Sequence, residues 1–135
     1  MLKIRDVMTR KVLTVPAEAT AEAAAWALVA HNVSGAPVRD RNGKLLGVLS
    51  KTDLIDPDRA PPEALVEEVM TPFMLALRPD DSALDAARLM AHEGVHRILV
   101  LEGERLVGIV TTMDLVRALA RGLSFDAAPD EEEAA

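Results

Sequence analysis

Hydrophobic and polar positions along this chain change period several times, and the changes come twice in the same order. A short helical turn is expected at 4–8, followed by an extended apolar piece at 12–15 that Pro16 stops. Residues 20–32 read as a helix, with Thr20 as its cap and Glu18 and Glu22 near its positive end. That helix is rich in Ala, and Trp26, Val29, Ala30 and Val33 recur along one side at helical spacing. Trp26 is therefore expected in a core or an interface. A strand at 35–39 and another at 44–49 flank Asp40-Arg41-Asn42-Gly43, and Asn-Gly between two apolar runs is a strong hairpin signal. A helix from Ser50 should end near Ile55, because Asp56-Pro57 follows.

The order β-α-β-β-α then starts again. Pro57, Pro61 and Pro62 punctuate a linker. Beyond it come an extended piece at 74–77, a helix at 82–92, a strand at 96–101 and the turn Glu102-Gly103-Glu104. A strand at 106–110 and a helix at 111–120 close the series, with Gly122 as the end signal. Val7-Met8-Thr9 recurs as Val69-Met70-Thr71 at a nearly constant offset. The chain thus divides into a first repeat at 1–57, a linker at 58–63, a second repeat at 64–121 and a tail at 122–135. The fold class is α/β (α+β). A unit of about sixty residues leaves part of its sheet or helices uncovered, so the two repeats are expected to pack together about a pseudo-twofold axis.

One motif recurs with its chemistry intact. Gly47-Val48-Leu49-Ser50-Lys51-Thr52-Asp53-Leu54 is answered by Gly108-Ile109-Val110-Thr111-Thr112-Met113-Asp114-Leu115. A hydroxyl after an apolar run, with Asp three residues on, is a helix start with the hydroxyl at the N-cap and the carboxylate in the first turn. A single copy reads as plain capping. Two copies at matched places suggest a site, because helix N-terminal amides suit phosphate and an adjacent Asp can accept from ribose hydroxyls.

Composition narrows the options. The formal charge is −7, yet residues 124–135 carry five acids and no base, and without them 17 acids face 15 bases. No basic stripe marks nucleic acid as a partner. The acidic tail is expected to be disordered. Cysteine is absent, so disulfides and thiolate metal sites are out, and no His and carboxylate pair has metal-ligand spacing. No apolar run is long enough to span a bilayer, which leaves a soluble, cytoplasmic protein as the expectation. There is no nucleophile–base pair and no phosphate loop of the Walker type, so no catalytic residue is assigned and an enzyme is the weakest reading.

The paired Val-Met-Thr openings, Gly-Ala-Pro-Val and His-Arg-Ile-Leu-Val at the first sheet strands, and the duplicated closing motif together resemble the tandem cystathionine-β-synthase (CBS) domain pair, or Bateman module. The resemblance covers nearly all of the chain outside the tail. It implies a regulatory binding module holding adenosine-containing ligands, such as AMP, ADP, ATP or S-adenosylmethionine, in two clefts built crosswise from both repeats. One cleft would use Ser50, Lys51, Thr52 and Asp53 with His96, Arg97 and Ile98. The other would use Thr111, Thr112 and Asp114 with Thr14, Ser34, Gly35, Ala36 and Pro37. In chemical terms Asp53 and Asp114 suit a ribose diol, His96 and Arg97 suit a phosphate, and Val12 and Ile98 could sandwich a base. Since Gly35-Ala36 replace His96-Arg97 in the second cleft, the Asp53 cleft should favour phosphorylated ligands. The resemblance also implies a homodimer, close-packed through Ala-rich helices, and a regulated protein partner. The alternative is a dimerisation or docking module whose clefts are degenerate.

Several residues have a plainer reading. His31 and His92 lie near helix ends, where the dipole favours them. Met8 and Met70 read as packing residues. Arg78 either reaches toward Asp53 or is solvated.

Overall fold

The computed structural model describes residues 1–125; the acidic positions from Asp126 on, where disorder was expected, lie outside the described residues. Its elements are α1 (Ile4–Val7), β1 (Val15–Pro16), α2 (Ala21–Ala30), β2 (Gly35–Arg39), β3 (Leu45–Ser50), a 3-10 turn (Lys51–Leu54), α3 (Val66–Val69), β4 (Ala76–Leu77), α4 (Ala83–Glu93), β5 (Arg97–Glu102), β6 (Arg105–Thr111) and α5 (Thr112–Ala120). They form a mixed α/β structure with two three-stranded sheets, ordered β1-β2-β3 and β4-β5-β6. In each, a two-residue strand runs parallel to the middle strand, and the last two strands form an antiparallel hairpin.

Two compact units result. The first is Val12–Met74; the second joins Met1–Lys11 to the chain from Leu75 onward. The repeats of the sequence therefore exchange their opening turns in space. In the second unit, Ile4 donates its amide to the Asp81 carbonyl (2.9 Å) and Arg5 to that of Pro79 (3.0 Å), tying α1 to the residues before α4. In the first unit, Val66 and Glu67 of α3 do the same to the carbonyls of Ala19 (2.8 Å) and Ala17 (3.0 Å). Each opening segment then lies across a closing strand: Thr9 pairs with Ile109, and Thr71 with Val48. This crossing explains the Gly of the closing motif. A Cβ on Gly47 would stand 2.2 Å from the Thr71 carbonyl oxygen, and one on Gly108 2.9 Å from that of Thr9.

The first unit buries Val15, Leu28, Val38, Leu49, Val66 and Val69 around its sheet. The second buries Ile4, Met90, Ile98, Val100, Val110 and Leu115, and Met8 and Phe125 pack against them. Chain chemistry at the helix starts follows expectation: Thr20 accepts from the Ala23 amide (3.1 Å) and Ser82 from that of Asp85 (2.9 Å). Gly122 takes φ +82 just past α5, where a left-handed residue ends a helix.

Two expectations need correction. The packed face of α2 is Ala21, Ala24 and Leu28, whereas Trp26 is 70% exposed and Val29 and Ala30 are also outside. With alanine on every side, α2 has little amphipathic contrast, and small Ala21 and Ala24 let the helix lie close while Leu28 fills the core. Trp26 is thus no core residue of its unit. The helix expected after Ser50 is a single 3-10 turn, cut short ahead of Asp56 and Pro57, while its counterpart α5 runs for nine residues.

Candidate functional site

The duplicated Ser/Thr-x-x-Asp motif sits where a closing strand ends and a helical turn begins, in both units. In the first, the Ser50 hydroxyl accepts from the Asp53 amide (3.3 Å). Oδ2 of Asp53 in return accepts the Ser50 amide (2.9 Å) and hydroxyl (3.2 Å). In the second, Thr111 accepts from the Asp114 amide (3.2 Å), and Oδ2 of Asp114 accepts the Thr111 amide (2.9 Å) and hydroxyl (3.1 Å). Both are capping boxes, and both carboxylates are buried.

Sequence reasoning missed the third partner of each carboxylate. Thr71 donates its hydroxyl to Oδ1 of Asp53 (3.4 Å), and Thr9 to Oδ1 of Asp114 (3.0 Å). These are the threonines of the two Val-Met-Thr openings, so each repeat's opening threonine holds the other repeat's aspartate. The duplication of Thr9 and Thr71 in the sequence was the available signal. An ionised carboxylate offers about four acceptor positions, and three are taken in each copy by these contacts. The remaining acceptor position is on Oδ1, which in Asp114 also faces Arg117 at 3.7 Å. It is what a ribose hydroxyl could use.

The structure also brings each motif beside the first hairpin strand of its own repeat. Gly35 pairs with Ser50, Ala36 with Leu49 and Pro37 with Val48, and the Lys51 amide donates to the Ser34 carbonyl (2.9 Å). Likewise Arg97 pairs with Thr111, Ile98 with Val110, and the Thr112 amide donates to the His96 carbonyl (3.0 Å). Lys51, Thr52, Ser34, His96 and Thr112 are exposed, and Thr14 and Arg97 are half-buried. Gly35, Ala36 and Pro37 are buried. Ile98 packs in the core of the second unit at 1% exposure, so its side chain serves the sheet rather than stacking on a base.

Charge separates the two copies. Arg117 lies 3.7 Å from Oδ1 of Asp114, one turn on. The matching position in the first unit is Asp56, exposed and of opposite sign. Among the other expected residues, Arg78 is exposed on the second unit, His31 bonds the Ala27 carbonyl (2.9 Å) at the end of α2, and His92 lies in the last turn of α4. Among the described residues no cluster of His, Cys, Asp or Glu could hold a metal ion, and no helix is long and apolar enough to cross a membrane.

Known proteins share this architecture. A family model described as CBS domain matches residues 4–57 and 66–121. The CBS domain-containing protein YhcV of Bacillus subtilis is 34% identical over 118 residues, covering 85% of this chain and 84% of that protein. A solved structure of CBSX2 in complex with AMP has a TM-score of 0.81 at 30% identity, covering 90% of this chain and 98% of that one. The CBS domain pair of protein MJ0100, in complex with 5′-methylthioadenosine and S-adenosyl-L-methionine, has a TM-score of 0.80 at 26% identity, covering 89% and 97%. Of three longer curated relatives the chain spans only 45%, 15% and 44% of the length.

Proposed function

This chain belongs to the CBS domain family and carries the domain twice in tandem, and from that premise we propose that it binds an adenosine-containing nucleotide and signals occupancy to a partner. The observation that carries the reading is the pair of buried, capped aspartates, Asp53 and Asp114, each with one acceptor position unspent on Oδ1. A ribose diol supplies hydroxyl donors for that position, and the side chains of Lys51, His96 and Arg97 supply positive charge for a phosphate. The ligands bound by CBSX2 and MJ0100 support the same class: AMP for one, 5′-methylthioadenosine and S-adenosylmethionine for the other.

In this reading Ser50 to Asp53 and Thr111 to Asp114 hold the ribose, and Thr14, residues 34–37, His96 and Arg97 contribute to the rest of the ligand surface. Ligand binding shifts a conformational equilibrium by its differential affinity, and a protein partner reads the shift. The protein acts in the cytoplasm, has no catalytic role of its own and works as a homodimer.

A second reading, a docking module with empty clefts, draws on the outer helix faces. Trp26 and Val29 on α2 and Met113, Val116 and Leu119 on α5 are exposed. Such apolar faces suit self-association whether or not a ligand binds.

A thermal-shift and calorimetric screen with AMP, ADP, ATP and S-adenosylmethionine decides between the two. A ligand at a hundredfold excess over its Kd adds about 2.7 kcal/mol of stability. The first reading expects such a shift with one ligand class, weakened roughly tenfold in Kd by Asp53→Asn or Asp114→Asn. Flat melting curves at millimolar ligand, with a dimer still present by sedimentation, would leave the docking module standing.

A further inference from the structure

One cavity of about 430 Å3 is walled entirely by the second unit. Its apolar lining is Met8, Pro79, Leu106 and Val107, and its charged lining is Arg5, Arg10, Arg105 and Glu102. It shares no residue with the Ser/Thr-x-x-Asp motifs. Arg105 opens β6 and Thr111 ends it, so the cavity and the Asp114 motif stand at opposite ends of a strand about 20 Å long.

The charges here are unusual for this chain. Three arginines face one glutamate in the lining, a formal surplus of two positive charges in a protein of net charge −7. Arg5 and Lys3 share the single carboxylate of Asp80, which leaves that group one positive charge over. Arg105 meets Glu102 at 3.7 Å, but both side chains are well exposed, so this pair is weak and easily exchanged. Arg10 donates to the Arg5 carbonyl (3.3 Å), which holds its side chain across the turn of α1, and among the described residues no carboxylate pairs with it.

The fold does not require these charges. Aligned on Val-Met-Thr, the opening of the second repeat has Glu67 where Arg5 stands and Pro72 where Arg10 stands, while Met70 matches Met8. The hairpin supplies Lys44 in place of Arg105. The same backbone thus carries three arginines in one copy and an acid, a proline and a lysine in the other. Arginines placed in one copy alone point to recognition rather than to folding.

We propose that this cavity is a ligand site separate from the nucleotide clefts, for a small phosphorylated organic molecule. The phosphoryl group meets the guanidinium groups of Arg10 and Arg105, whose planar forks match phosphate oxygens. The organic part lies on Met8, Pro79, Leu106 and Val107. The cavity has the size of small-molecule sites, and its open mouth keeps part of a doubly charged phosphate hydrated.

The test is an amide NMR titration of the full chain with phenyl phosphate, a probe that lacks ribose and adenine. Saturable shifts are expected at residues 5–10 and 102–107. Arg10→Gln and Arg105→Gln should each weaken binding roughly tenfold, and added salt should weaken it further. Both residues are exposed, so the variants should keep the wild-type melting temperature. Asp53→Asn and Asp114→Asn should leave this binding unchanged, which separates it from the nucleotide reading. No shift, non-saturable shifts that persist in Arg10→Gln, or shifts confined to the two Ser/Thr-x-x-Asp motifs would overturn the proposal.

Discussion

The Asp53 and Asp114 motifs share nearly every backbone contact and differ in almost every charge around them. Each aspartate closes a capping box, each takes a third bond from a threonine of the other repeat, and each lies beside a strand start in its own hairpin. Around Asp114 stand Arg117, Arg97 at the start of the neighbouring strand and His96 just before it; around Asp53 stand Asp56, Lys51 and the small Gly35 and Ala36. The geometry common to both is what the fold needs. The charges that differ are free to specify a ligand, which is why the two copies need not bind the same one.

The comparison breaks most easily at the crossing of opening segment and closing strand. A Cβ at Gly47 meets the Thr71 carbonyl oxygen at 2.2 Å, backbone that cannot step aside. At Gly108 a Cβ meets Sδ of Met8 at 2.8 Å, a flexible side chain, and the Thr9 carbonyl oxygen at 2.9 Å, a milder backbone clash than the one at Gly47. Gly47→Ala should therefore cost about 3 kcal/mol and Gly108→Ala about 1.5 kcal/mol. Urea unfolding midpoints check the order, and equal losses would mean that the two crossings are mechanically alike.

Leu28→Ala probes the corrected face of α2. Leu28 is fully buried in the first unit, so truncation should cost about 3 kcal/mol, while Trp26→Ala should change stability by under about 0.5 kcal/mol. If instead Trp26→Ala lowers stability at high protein concentration but not at low, Trp26 is covered by a second copy, as the proposed dimer requires.

The threonine bonds give a smaller effect. Thr9→Val and Thr71→Val each remove a hydroxyl donor from a buried carboxylate, at a cost of about 1.5 kcal/mol for the 3.0 Å bond of Thr9 and less for the 3.4 Å bond of Thr71. Denaturant titration at neutral pH would detect the difference. No loss in either variant would mean that the capping box alone holds the aspartates.

Asp80 gives the smallest effect. The hydrogen bond from Arg5 holds its carboxyl below the ordinary value of 3.8, with the charges of Arg5 and Lys3 adding to it. A carboxylate with a lowered folded pKa stabilises the protein above the ordinary value and loses that contribution as pH falls through the folded one. The stability gap between wild type and Asp80→Asn should thus be small at neutral pH, shrink with salt and vanish in strong acid. A gap that persists in acid would assign Asp80 a role other than charge pairing.

Much of the fold was legible because its signals are local. Thr20, Ser50, Ser82 and Thr111 cap the turns that follow them, and Asn42-Gly43 turns the first hairpin, with Gly43 at φ +82. What misled was α2, where alanine on all sides leaves the periodicity without contrast, so Trp26 looked like an anchor. The carboxylates of the candidate site were found from spacing alone. Thr9 and Thr71 were not, because their partners Asp114 and Asp53 lie in the opposite repeat and no local pattern records a bond across such a separation.

Local chemistry along the chain was therefore enough to set the elements, their duplication and the two capped aspartates, since capping, turn and alternation rules act within a few residues. Tertiary structure alone decided which face of α2 is buried, the exchange of opening turns between units and the need for glycine at 47 and 108. It also gathered Arg5, Arg10 and Arg105 around one cavity. These depend on contacts between segments far apart in sequence, whose energies are set by packing and close approach rather than by any residue's own preference.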